Sequence, residues 1–554
     1  MKTQIRFVLA ALVLVSLLAS ACATPAPAVQ TVVVRETVEV EKQAETVKTV
    51  DMPAMPTASP AVVEEAMSGR RYTAPAATEE PMTGSTGGDS EPNDQPYGDV
   101  FYDNYGVNPR IDTDDDNLST FAVDVDTASY TVMRRMIGDG YLPDKDSVRV
   151  EEFINFFDQG YTPPTESAFA INIDGAPSPY AQNYHLVRVG LQGYVVPEEE
   201  RPRAVLTFVV DVSGSMDMEN RLGLVKQSLE LLVNQLRPND RIGLVVYGNN
   251  ARVLLKHTAI ENGDAILDAI RRLRPEGATN AEAGLLEGYR LARKAYDSDA
   301  INRVILCSDG VANVGNTGPN SILKQIREYA DKNIYLTTIG VGMGNYNDVL
   351  MEQLANDGDG FYAYVDDIKE AERVFVNDLA SSLQVIARDA KIQVEFNPDV
   401  ISRYRLIGYE NRDVADEDFR NDEVDAGEIG PGHSVTALYE VKFEPDADPA
   451  ESAITVFVRW EDPDTREVTE ISRDIAKANL SADFAASNPY FQLTAVVAQY
   501  AEILRESYWA KDAGTTLEDV SREAQRLAEY MPRDPEVQEF AELAVKAVNL
   551  SPTR

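Results

Sequence analysis

The stretch Phe208-Val209-Val210-Asp211-Val212-Ser213-Gly214-Ser215-Met216 sets the fold. An apolar run that begins near Ala204 stops at a carboxylate, and two hydroxyls follow at alternate positions. Unbroken hydrophobicity of this kind marks a strand buried on both faces. Side chains leaving a strand end at alternate positions point the same way, so Asp211, Ser213 and Ser215 can converge. Gly214 permits a sharp backbone turn between the two serines. Three hard oxygen donors on one strand-to-helix turn suit Mg²⁺ or Mn²⁺.

Working outward, apolar strands are expected over 204–210, 242–247, 304–307 and 334–341. Amphipathic helical patterns fall between them, over 221–236, 281–296, 321–332 and 348–356. This alternation predicts an α/β domain from 200 to 382, a doubly wound parallel sheet with helices on both faces. Such sheets bind ligands outside the carboxyl ends of their strands. Asp211 and Asp309, the latter in Ser308-Asp309-Gly310, both sit at such ends. Thr279, in Gly277-Ala278-Thr279-Asn280, opens the helix near Ala281 and offers a further hydroxyl. Ser, Thr and Asp also cap helices and turns, and one such motif alone would be read that way. Three pieces in this order, each at a strand end or helix start, favour a cation site.

Asp-x-Ser-x-Ser, a Thr in a Gly-containing loop and a later Ser-Asp-Gly together resemble the metal-ion-dependent adhesion site of von Willebrand factor A domains. The resemblance implies that Asp211, Ser213, Ser215, Thr279 and Asp309 hold Mg²⁺, with Mn²⁺ or Ca²⁺ as alternatives. It also implies that a partner's Asp or Glu fills an open coordination position. The likeness extends to the flanks. Residues 119–129 with 148–157 resemble the N-terminal extension of the YfbK-like group of bacterial von Willebrand A lipoproteins. Tyr404-Arg405-Leu406-Ile407-Gly408-Tyr409 and the stretch 425–430 resemble that group's C-terminal domain. The expected organisation is therefore an α+β extension over 96–165, the A domain over 200–382, and a β-rich plus helical unit over 383–554.

The N-terminus reads as an export signal over 1–21. Lys2 and Arg6 precede an apolar stretch too short for a membrane span, and small residues lead to Cys22. That ending resembles a bacterial lipobox, with Ala19 where a Leu is usual, so Cys22 is the expected lipidation site. Residues 22–95 are rich in Pro, Ala, Thr, Val and Glu, nearly lack aromatics, and are expected to be a disordered tether. A flexible chain of that length spans on the order of 50 Å. The other cysteine, Cys307, lies in an apolar strand and is expected to be a small buried hydrophobe.

Fifty-one Lys and Arg against 91 Asp and Glu leave a net charge of -40, a field that repels nucleic acid and anionic lipid head groups and argues against both as partners. Three scattered histidines and no His-Glu-x-x-His argue against a zinc protease. Gly340-Val341-Gly342-Met343-Gly344 lacks the Lys-Ser/Thr of a phosphate loop. Asp112, Asp114 and Asp116 fail the EF-hand pattern at the next positions. Asp124 to Ser129 echoes the metal motif, but Thr127 as a helix cap is the simpler reading.

The expected function is a non-enzymatic, metal-dependent protein-binding module. It is anchored in the cell envelope through its lipid, on the periplasmic or cell-surface face, and engages an envelope or extracellular protein. A metal-assisted hydrolase or an accessory subunit of an ion-transport complex are the alternatives.

Overall fold

The computed structural model describes residues 102–551 except 198, 311–318, 344–345, 378–382, 423 and 425. The expected signal (1–21), Cys22 and tether (22–95) lie outside the described residues.

The chain opens with strands β1 (Ile111–Asp112) and β2 (Leu118–Ala122), helices α1 (Ala128–Gly138) and α2 (Val150–Asn155), and the hairpin β3 (Phe169–Pro177) and β4 (His185–Gly193). The α/β region follows as β5 (Arg203–Asp211), α3 (Arg221–Gln235), β6 (Arg241–Tyr247), β7 (Ala251–Ala259), α4 (Gly263–Arg271), α5 (Ala281–Ala295), β8 (Ala300–Ser308), α6 (Pro319–Ala330), β9 (Tyr335–Val341), α7 (Asp348–Asn356), β10 (Tyr362–Val365) and α8 (Ile368–Glu372). Its six strands lie in the order β10-β9-β8-β5-β6-β7. All pair in parallel except β7, an antiparallel edge strand.

Alternation along these strands divides the core. Leu206, Phe208 and Val210 face one side with Ile305 and Cys307, under Leu222, Val225, Leu229 and Leu232 of α3. Val209, Val304 and Leu306 face the other, under α5 and α7. Each large aliphatic side chain so buried contributes about 1.5–3 kcal/mol. Ala128, Val132 and Met136 of α1 join the second layer, so the extension completes the core of the α/β region. Cys307 is buried and unpaired, as expected of a small hydrophobe.

The chain then continues through β11 (Ala387–Phe396), β12 (Ile401–Ile407), β13 (Gly427–Ile429), β14 (Ser434–Phe443), β15 (Ser452–Glu461) and β16 (Val468–Ala476). Helices α9 (Pro489–Leu504), α10 (Tyr508–Ala513), α11 (Leu517–Tyr530) and α12 (Pro535–Leu550) follow. The strands on either side of the α/β region share sheets. One antiparallel sheet runs β1-β12-β14-β4-β3, and the second runs β13-β11-β15-β16 with β2 on β11. Their facing side chains interlock, Phe396 stacking on Tyr404 at 4.1 Å and Phe169 meeting Trp460 edge-on at 4.9 Å. The outer face of the first sheet is covered by α2, α9, α11 and α12. Residues 203–377 are thus inserted into a body that both flanks build together. Among the described residues, no helix is long and apolar enough to cross a membrane.

Candidate functional site

The chain leaves β5 towards β6 on one side and returns to β8 on the other, so the strand order reverses between β5 and β8. A crevice opens at the carboxyl ends of strands at such a point. These two strands pair in register up to Val210 opposite Cys307. The next residues, Asp211 and Ser308, therefore emerge side by side, and the Ser308 hydroxyl donates to Asp211 Oδ2 at 3.0 Å. The Ser213 amide donates to Asp211 Oδ1 at 2.7 Å, folding the turn back on the carboxylate.

The other candidates close around this turn. Ser213 and Ser215 hold their Oγ atoms 3.0 Å apart. The Ser215 hydroxyl also bonds the Asp309 carboxylate. The loop bearing Thr279 is fastened to the same turn: Gly214 N–H donates to Gly277 O at 3.1 Å, and Glu276 N–H to Val212 O at 2.5 Å. Gly277 adopts φ +78°, a left-handed conformation suited to glycine. Asn280, not Thr279, caps α5 through its side chain. All five candidates are buried, Thr279 the most open at 9%.

Burial, and then the charge of Asp309, push the Asp211 carboxyl up to about 7. Burial likewise raises Asp309, opposed chiefly by the guanidinium of Arg221. Two carboxylates removed from water and set against each other form a site that added positive charge relieves. The donor chemistry fits a hard divalent cation. Neighbouring ligands of an octahedral Mg²⁺ at about 2.1 Å lie about 3 Å apart, the spacing of the two serine oxygens. Among the described residues, no group of three or more His, Cys, Asp or Glu forms a metal cluster. The candidate set is of another kind, two carboxylates and three hydroxyls.

Two residues of the site escaped the sequence reading. Ser308, inside Ser308-Asp309-Gly310, orients Asp211 through its hydroxyl. Arg221 donates from Nη1 to Asp309 Oδ2 at 2.8 Å, with a second bond from Nη2 to Met343 O. A cation at the first position of a helix opposes the macrodipole, and that was the available signal. The weaker constellations are absorbed elsewhere. Asp112 pairs with Arg403, and Asp124 and Asp126 pair with the guanidinium of Arg412. Thr127 precedes α1 without a side-chain capping bond.

Three segments match family models. Residues 97–188 match one described as von Willebrand factor, 206–378 the von Willebrand factor type A domain, and 381–550 the C-terminal part of the uncharacterized protein YfbK. Over 454 residues the chain is 34% identical to the uncharacterized protein YfbK of Escherichia coli K12, covering 77% of this chain and 78% of that protein. The inter-alpha-trypsin inhibitor heavy chain H2 of Sus scrofa is 28% identical over 192 residues, 33% of this chain and 19% of that protein. A solved structure described as von Willebrand factor type A from Catenulispora acidiphila aligns with a TM-score of 0.39 and 17% identity, over 67% of this chain and 91% of that one. Type A domains typically mediate protein–protein interactions. With its inserted α/β sheet and the C-terminal unit that follows, this chain belongs to the YfbK-like family of von Willebrand factor type A domain proteins.

Proposed function

We propose that the protein is an exported, lipid-anchored binding module of the cell envelope that captures an acidic side chain of a partner protein through a divalent ion. Mg²⁺ is the first choice, with Mn²⁺ or Ca²⁺ as substitutes, and Asp211, Ser213, Ser215, Thr279 and Asp309 are the residues to hold it. The observation that carries this reading is the pair of buried carboxylates, Asp211 and Asp309, set with serine hydroxyls at the switch point of the sheet. A bound ion would neutralise both carboxylates and offer a Lewis-acidic position to an incoming oxygen. The chain's own groups do the rest: Ser308 and the Ser213 amide fix the orientation of Asp211, and the bonds to Gly277 O and Val212 O keep the Thr279 loop in place.

Binding is favoured over turnover because, among the described residues, none of the three histidines bonds to the cluster, and its two carboxylates are taken up as candidate ligands. His257 bonds Thr207, His185 packs against Phe443, and His433 packs against Phe361. The proposed localisation rests on the signal-like N-terminus and on Cys22, with residues 22–95 as the spacer. The test is capture of an envelope protein by the full chain in Mg²⁺, in EDTA, and with Asp211→Ala. A partner held only by wild type in Mg²⁺ supports the proposal, and equal capture in all three arms overturns it.

A further inference from the structure

The turn at Gly342, just after β9, has a physical task. Gly342 adopts φ +74°, and a Cβ there would collide with Nε and Cδ of Arg221. The missing side chain makes room for this arginine to lie across the loop and reach the carboxyl ends of two neighbouring strands at once. Nη1 bonds Asp309 after β8, and Nη2 bonds Met343 O after β9. The side chain is 3% exposed, and its buried Nε–H has no acceptor among the described residues. Among the described residues, the other carboxylate paired with it, Glu219 at 3.9 Å, is 44% exposed and screened by water. A desolvated guanidinium at a helix N-terminus is unfavourable by itself. A surrounding structure shaped to hold it points to a role in the site.

That role follows from charge. The two carboxylates and Arg221 sum to one negative charge, so a site loaded with a divalent ion carries one net positive charge. Without Arg221 the loaded site would be neutral. We infer that Arg221 is a specificity-determining residue of the metal site: it weakens the hold on the bare ion and makes the loaded site select an anionic, carboxylate-bearing ligand over a neutral one. This rests on the metal reading proposed above. At the low effective dielectric of a buried site, a unit charge this close changes each affinity by about tenfold or more.

The test uses the full chain as wild type, Arg221→Gln, Arg221→Lys and Asp211→Ala, each checked for fold by circular dichroism. Mn²⁺ affinity is measured by calorimetry, and acetate binding to the Mn²⁺-loaded protein by water-proton relaxation, with acetamide as the neutral control. Arg221→Gln is expected to bind Mn²⁺ about tenfold more tightly and acetate about tenfold more weakly, with acetamide unchanged. Arg221→Lys, which keeps the charge, stays within about threefold of wild type on both. A strut that merely positions Asp309 predicts the opposite sign, weaker Mn²⁺ binding in Arg221→Gln, and that result overturns the inference. Should Arg221→Gln not fold, Arg221→Lys decides: loss of the preference for acetate over acetamide with the charge retained overturns it. Failure of folded wild type to bind Mn²⁺, or undiminished binding by Asp211→Ala, refutes the metal reading itself and is recognised as such.

Discussion

Glu151, on the first turn of α2, is a carboxylate the fold holds close to neutral, and replacing it with Gln should produce a stability gain that exists only at high pH. Its side chain is buried, and Oε2 accepts the Tyr409 N–H at 2.9 Å. No ion pair among the described residues reaches it. Burial first, then the charges of Glu410 and Asp124, push its pKa from 4.5 up to about 7. The raised value fixes the sign. Well below pH 4.5 the proton is held in both folded and unfolded chains. At pH 4.5, where the unfolded chain has released about half of it, the group still costs only a small part of the full effect. As pH rises towards 7 the unfolded chain releases the proton while the folded chain keeps it or bears a buried charge, and stability falls. The rise to about 7 is worth about 3 kcal/mol by pH 8. Glutamine retains the acceptor for Tyr409 and cannot ionise. Glu151→Gln is therefore expected to nearly match wild type at pH 4.5 and to exceed it by about 3 kcal/mol at pH 8. Denaturant midpoints of the full chain at pH 4.5, 6 and 8 measure this. The general repulsion among the chain's acids is common to both proteins and nearly cancels. A difference that is constant with pH, or largest in acid, would refute the reasoning.

Three further substitutions probe the frame. Gly408 sits at φ +86° with Glu151 Oε2 only 2.5 Å from where a Cβ would be, so Gly408→Ala should cost about 2 kcal/mol or more in thermal unfolding. Arg134 of α1 bonds Asp366 through two nitrogens, at 2.8 and 2.6 Å, and also reaches Glu370 and Glu539. Arg134→Met leaves those carboxylates without it and should destabilise by about 3–5 kcal/mol, with faster hydrogen exchange in β10 and α8. Leu232 of α3 is fully buried, and Leu232→Ala should cost about 2–5 kcal/mol in denaturant unfolding while leaving Mn²⁺ affinity unchanged.

The parallel strands were legible because burial on both faces demands unbroken apolar runs, and the observed β5, β6, β8 and β9 lie close to the expected bounds. The edge strand β7 was not expected: Arg252, Lys256 and His257 break its apolar pattern, as an edge exposed to water allows. Helix α10, set between the Ser507 cap and the left-handed Gly514, is too short to show a period. Least legible was the shared sandwich. Pairing of Ser434 with Gln192 joins strands separated by the whole α/β insertion, and no local pattern records a partner so remote. The five candidate ligands could be found because strand ends and hydroxyl spacing are local. Arg221 could not, since its meaning lies in Asp309 and Gly342, brought to it by two other strands.

The most direct test of the central claim is a calorimetric titration of Mg²⁺ into the full chain, beside Asp211→Ala and Asp309→Ala of unchanged circular dichroism. The account predicts one ion per chain in wild type and loss of that binding in both variants. A wild type that binds no ion, or variants that bind as wild type does, would contradict it.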